Sequence, residues 1–195
     1  MGFVLLPALF LAGCLSESSN FQGEITKPRI SKIYVCSGFD CAYKTAYPIS
    51  EEDREKFVEI MEAGSQSPAA EREAVRRADS FYENRASTYI GARDKAKSDF
   101  TQSREKGQMD CIDESTNTRS LLLFLEENGL LKYHRVERNV SRGIFLDGRY
   151  PHSTAVLTDP SGKKWAVDSW YEPTGGLPDV MPLSDWMKRG VMGER

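Results

Sequence analysis

The chain has 195 residues, of which 39% are hydrophobic and 28% charged, with 15 glycines, 9 prolines and 4 cysteines. That balance excludes a disordered tail, a collagen-like repeat and a disulfide-dense miniprotein, and it suits one compact domain. The 26 Lys and Arg against 29 Asp and Glu give a formal charge of −3, so no overall basic field calls for a nucleic-acid partner. Only His134 and His152 are present, and any histidine chemistry must use one of them.

Met1 to Gly13 carries no charge and is followed by Cys14 and a polar run. It is shorter than the ~20 residues a membrane-spanning helix needs, but it fits the apolar part of an export signal. Leu11-Ala12-Gly13-Cys14 resembles the lipobox of bacterial lipoproteins. The resemblance implies cleavage before Cys14 and lipid attachment to its sulfur, giving a chain anchored in the cell envelope and facing the periplasm. The alternative is an apolar N-terminal helix packed on the domain. Residues 14–29 read as a flexible tether, too poor in apolar side chains to fold alone, leaving 30–195 as a single domain.

An exported chain meets an oxidising compartment, which divides the cysteines. Cys36 and Cys41 flank Ser37-Gly38-Phe39-Asp40, with β-rich segments on either side, and predict a hairpin with a four-residue loop. If the two sit opposite each other, their separation suits a disulfide. Half of a metal site and two free thiols are the alternatives. Cys111 is then left over.

Ser50 predicts the cap of a helix running to about Ala63, with Asp53 completing a capping box. Ser67-Pro68 opens a second helix whose face carries Ala74, Ala78, Phe81, Tyr82 and Tyr89. The charges between, including Glu71, Arg72, Arg76 and Arg77, read as a solvated face. Residues 92–107 form a polar loop ending at Gly107. A third helix begins near Cys111, carries the apolar stretch Leu121 to Leu125 and stops at Gly129.

Cys111 therefore sits in a first helical turn, where the dipole and unpaired N–H groups favour thiolate. Asp110, Asp113 and Glu114 oppose this by like-charge repulsion, so activation needs a base or cationic partner. A cysteine at the head of an apolar helix also serves as plain packing.

Further on, 132–139 and 142–146 read as strands, with Asp147-Gly148 as a hairpin turn. His152 begins another strand, which turns at Asp159-Pro160-Ser161-Gly162 and returns through Trp165 and Asp168 to Trp170. Pro160 and Gly162 favour a three-residue loop that pairs Asp159 with Lys163 and sets Thr154 opposite Asp168. His152 then lies on the same face as Asp168, one diagonal step away. A two-residue loop would send Asp168 to the other face.

A thiol at a helix head, with an imidazole and a carboxylate brought together on a sheet, has the composition of a nucleophile, its base and an orienting group. In this order and spacing, Cys111, His152 and Asp168 resemble the core of the transglutaminase-like superfamily over residues 107–170. The strand Trp165-Ala166-Val167-Asp168-Ser169-Trp170 carries the more specific half of the likeness, and Gln108-Met109-Asp110-Cys111 resembles the helix start of bacterial transglutaminase-like cysteine proteinases. The resemblance implies an α+β fold of papain-like plan, with the nucleophile helix packed on an antiparallel sheet, preceded by the hairpin and two helices. It also implies acyl transfer through a thioester, with hydrolysis or transfer to an amine as the outcome.

Cys111 N–H is one oxyanion donor by position, and the Gln108 side chain is a candidate second. The substrate would be an amide of protein or cell-wall peptide, and no metal or organic cofactor is called for. Two other classes stand beside this reading: a binding module on the same fold without turnover, and a structural lipoprotein in which Cys111 is core. His134 reads as an exposed or packing residue with no acid at a spacing to hold it. Trp165, Trp170 and Trp186 read as core or as groove lining, and Ser184 as the cap of a short C-terminal helix.

Overall fold

The computed structural model describes residues 32–144 and 146–190. The export segment, the lipobox with Cys14 and the tether lie outside those residues. Among the described residues no helix is long and apolar enough to cross a membrane.

The described chain begins with an antiparallel hairpin of β1 (Lys32–Ser37) and β2 (Tyr43–Pro48), paired from Lys32 opposite Pro48 to Ser37 opposite Tyr43. Cys36 and Cys41 form a disulfide with Cα atoms 4.6 Å apart. It does not join opposite strand positions, since Cys36 faces Lys44 and Cys41 lies within a five-residue loop, 38–42. The loop is longer than expected because Gly38, Phe39, Asp40 and Cys41 all take left-handed backbone angles, with φ of 84°, 70°, 51° and 51°. For non-glycine residues that conformation costs roughly 1–2 kcal/mol each, so the loop needs outside contacts to hold its shape.

Helix α1 (Glu51–Glu62) starts with the expected capping box between Ser50 and Asp53. Helix α2 (Pro68–Ile90) starts at Ser67, whose side chain accepts from Ala70 N–H, with Pro68 in the first turn. Helix α3 (Cys111–Glu127) is followed by Gly129 at φ 69°, where a side chain would be strained. Three leucines of α3, Leu121, Leu122 and Leu125, are fully buried. Each contributes roughly 1.5–3 kcal/mol of burial. They share one core with Phe57 and Met61 of α1, Ala74, Ala78 and Tyr82 of α2, and Leu157 and Val167 of the sheet.

That sheet comprises β3 (Arg135–Val136), β4 (Val140–Arg142), β5 (His152–Thr158), β6 (Lys164–Asp168) and β7 (Asp179–Pro182), all antiparallel to their neighbours. The long strands expected over 132–139 and 142–146 shrink to β3 and β4. They pair with successive lengths of one edge of β5, Arg135 with Thr158 and Arg142 with His152. The β5–β6 register runs from Thr158 opposite Lys164 to Ala155 opposite Val167, and the Asp159 N–H bonds the Lys163 carbonyl at 2.9 Å. This is the three-residue loop expected from Pro160 and Gly162, and it sets the face on which Asp168 emerges. Helix α3 packs against both β5 and β1, so the mixed α+β architecture holds the head of this helix between hairpin and sheet.

Helix α4 (Leu183–Trp186) begins one residue before Ser184 and lacks a side-chain cap, because Pro182 occupies the cap position. His134 is fully buried rather than exposed, and its Nδ1 lies 2.7 Å from Glu71 Oε1. The acid that holds it comes from α2, and Glu71 accordingly leaves the solvated face on which it was expected.

Candidate active site

Asp110 builds the head of α3. Its carboxylate accepts from the N–H groups of Ile112 and Asp113, and the Asp113 side chain returns to the Asp110 N–H. Cys111 is thereby the first helical residue, half-buried and not disulfide-bonded. Its sulfur is 3.9 Å from the Pro151 carbonyl oxygen, so the chain entering β5 passes directly over the thiol. Burial, then the nearby Asp110 charge, push this thiol up to about 12, against the opposing pull of the N–H groups of Ser153 and of Cys111 itself. Position at a helix head therefore does not make Cys111 a resting thiolate, because loss of solvation outweighs the dipole.

The second half of the site lies where the β5–β6 register puts it. His152 Nε2 is 2.8 and 3.0 Å from the two oxygens of Asp168, and both side chains are buried. His152 Nδ1 has no hydrogen-bond partner among the described residues. A carboxylate at Nε2 favours the tautomer with the proton on that nitrogen and leaves Nδ1 as an acceptor. The backbone of Pro151 and Ser153, on either side of His152, reaches the Cys111 sulfur, so the head of α3 meets the start of β5.

Sequence reasoning missed what surrounds the imidazole. Trp186, fully buried, donates its indole N–H to Asp168 Oδ2 at 2.6 Å. Arg142 lies 4.0 Å over the Trp186 ring and donates to the Trp186 carbonyl and the Tyr171 hydroxyl. The rings of Trp170, Tyr171 and Trp186 stand 4.5, 5.7 and 5.6 Å from the imidazole. Trp165 does not join them; it sits under Arg72 and bonds Asp159 at the hairpin turn. The Gln108 side-chain amide, expected as an oxyanion donor, donates to the Arg93 carbonyl at 2.9 Å.

The five-residue disulfide loop caps the same helix head. Phe39 and Cys41 N–H donate to Asp113 at 2.8 and 2.7 Å, Asp40 N–H donates to Asp110 at 3.1 Å, and Gly38 N–H reaches the Gln108 carbonyl at 2.6 Å. Asn117 of α3 holds the backbone N–H and carbonyl of Cys36. Cys36, Cys41 and Asp113 also bring metal-ligand atoms within 4.8 Å of one another, but the two sulfurs are committed to their disulfide.

A group of acids comes together from α2 (Asp79 and Glu83), the loop after it (Asp94) and α3 (Glu114). A small cavity of about 20 Å³ is lined by Tyr82, Glu83, Asp94, Glu114, Asn117 and Thr118, and not by Cys111, His152 or Asp168. Ser169, the neighbour of Asp168, donates to Glu114. Burial pushes Asp94 up to about 6 and Asp79 up to about 7. Burial first, and neighbouring acid charges second, push Glu83 and Glu114 well above the ordinary carboxyl range.

Groups raised in this way bind protons more tightly in the folded state than in the unfolded one. Their stabilising effect is present at acid pH and lost as pH rises through the folded values. Asp53, Glu71 and Asp159 are lowered and act oppositely, losing their contribution as pH falls below about 4. A single carboxyl raised from 3.8 to about 6 links roughly 3 kcal/mol to pH. At roughly 2–4 °C per kcal/mol for a chain of this size, the melting temperature is expected to be highest near pH 4 and about 5 °C or more lower at pH 8. Calorimetric melts across that range check it, and a flat or rising trend would contradict the burial of these acids.

No family model, curated protein or solved structure matches the chain.

Proposed function

We propose that the protein is a cysteine-dependent acyl-transfer enzyme of peptidase or amidase type, built on a papain-like, transglutaminase-like plan. It would be lipid-anchored through Cys14 and act on amides of envelope protein or peptide. The observation that carries this reading is the pairing of His152 Nε2 with both oxygens of Asp168, while Nδ1 has no hydrogen-bond partner among the described residues and the free Cys111 sulfur lies 3.9 Å from the carbonyl of Pro151, the residue before His152.

With the thiol protonated at rest, the chemistry is general-base catalysis rather than attack by a standing thiolate. His152 Nδ1 takes the thiol proton as Sγ adds to the substrate carbonyl carbon. The tetrahedral oxyanion then reforms its carbonyl, the C–N bond breaks, and the amine leaves with the proton from His152. The remaining thioester is opened by water, whose proton passes to His152 and on to the departing sulfur. Asp168 stabilises the imidazolium formed at both stages.

Para-nitrophenyl acetate provides a substrate-independent test. A mass increase of one acetyl group on the Cys111 peptide is expected, and His152→Ala should slow its formation about 100-fold. Equal acylation rates in the two proteins would overturn the proposal. One observation favours a second reading, a binding module that recognises an envelope partner without turnover: the thiol bonds the Pro151 carbonyl and not the imidazole. The absence of any acyl adduct on a folded protein selects it.

A further inference from the structure

We propose that the Cys36–Cys41 disulfide is a redox-sensitive latch that positions Cys111, by holding a cradle of backbone N–H groups around the Asp113 carboxylate. The inference rests on the reading of Cys111 as a nucleophile and adds its regulation.

Four successive left-handed residues, 38–41, turn the N–H groups of Phe39 and Cys41 toward the two oxygens of the Asp113 carboxyl group. The carboxylate they hold completes the capping box at the head of α3, two residues from Cys111. The neighbouring Asp40 N–H holds Asp110, the cap itself, and Gly38 N–H holds the Gln108 carbonyl just upstream. Gln108, Asp110 and Asp113, at and just before the helix start, are thus each tied directly to the small ring closed by the disulfide. Three of the four left-handed residues are not glycine, so the conformation is one that the open chain avoids. Closure of the ring excludes the alternatives.

The bond is also reachable from one side. Cys36 is fully buried whereas Cys41 is half-exposed, so a thiolate from a dithiol reductant attacks the Cys41 sulfur and expels Cys36 as the leaving thiolate. The second thiol of the reductant then displaces Cys41 and closes its own disulfide. Two electrons and two protons end on Cys36 and Cys41, and the reductant leaves oxidised. The loop can then relax, its N–H groups release Asp113, and the first turn of α3 loosens around Cys111.

The test compares the oxidised protein with the same protein reduced by dithiothreitol under native conditions, and with the Cys36→Ser, Cys41→Ser double variant. Hydrogen exchange reports the latch independently of any chemistry. The N–H groups of Phe39, Cys41 and Asp113 are expected to exchange about ten-fold or more faster once the bond is open. Iodoacetamide labelling of Cys111 in the double variant, with and without His152→Ala, reports the consequence. The His152-dependent acceleration seen in the oxidised protein should fall about ten-fold or more, and reoxidation of the reduced protein should restore it. Unchanged exchange, or a fully retained His152 dependence in the open state, overturns the latch. If the oxidised protein itself lacks any His152 dependence, the catalytic reading fails instead, and the exchange measurement alone decides whether the loop holds the helix head.

Discussion

Replacing Asp168 with alanine is expected to lower turnover of an activated ester about 10³–10⁴-fold while leaving the thiol in place. The carboxylate has two jobs that its contacts make distinct. It accepts from His152 Nε2 on both oxygens, which fixes the ring, and it accepts from Trp186 Nε1, which fixes the carboxylate. Alanine leaves two buried N–H donors without partners, at a cost of about 1–3 kcal/mol each in stability. A control that preserves the fold is therefore needed. Asp168→Asn keeps one oxygen able to accept from both donors, puts an NH2 group in place of the other and removes the charge. If the charge stabilises the imidazolium, the asparagine variant melts close to the parent yet turns over far more slowly. If Asp168 only orients the ring, asparagine restores most of the rate that alanine loses. Ester turnover within two-fold of the parent for a folded alanine variant would remove Asp168 from the mechanism.

The part of this site that could be read from sequence is the part fixed by local geometry. Asp159-Pro160-Ser161-Gly162 favours one loop length over another, the loop sets a register, and the register decides that His152 and Asp168 share a face. Cap chemistry was equally local at Ser50 and Ser67, whereas Asp110, read only as a charge opposing the Cys111 thiolate, is the cap of α3. What stayed hidden depends on partners far along the chain. Trp186 reaches Asp168 only because β7 returns beside β6 and carries α4 with it. Glu83, Asp94 and Glu114 look like ordinary solvated acids, and nothing in their spacing marks the shared cavity. The disulfide pairing was legible but its shape was not, since left-handed angles at Phe39, Asp40 and Cys41 have no composition signal. They exist because Asp113, supplied by another element, rewards them with two hydrogen bonds.

Glu71→Ala is expected to destabilise the fold by about 3–5 kcal/mol, more than substitution at the candidate nucleophile, although Glu71 is remote from it in sequence. The carboxylate is 1% exposed and is surrounded by donors. Oε1 accepts from His134 Nδ1 at 2.7 Å and His134 N–H at 2.9 Å, and Oε2 accepts from the N–H groups of Lys132 and Tyr133. Burial by itself would raise this carboxyl, but the His134 ring and the three N–H groups together bring it below its usual value. The ring is fixed in turn. Arg72 can only donate, so His134 Nε2, 3.3 Å from it, is an acceptor and Nδ1 carries the proton toward Glu71. Removing the carboxylate strands three backbone donors and an imidazole N–H in the segment that leads from α3 into β3, the strand that pairs with β5 beyond the catalytic end. Glutamine supplies one acceptor oxygen in place of two and should recover part of the loss. At roughly 2–4 °C per kcal/mol, thermal melts should show the alanine variant about 10 °C or more below the parent. A shift under about 2 °C, within the range of ordinary surface substitutions, would mean that these four hydrogen bonds are dispensable and that His134 is held by packing alone.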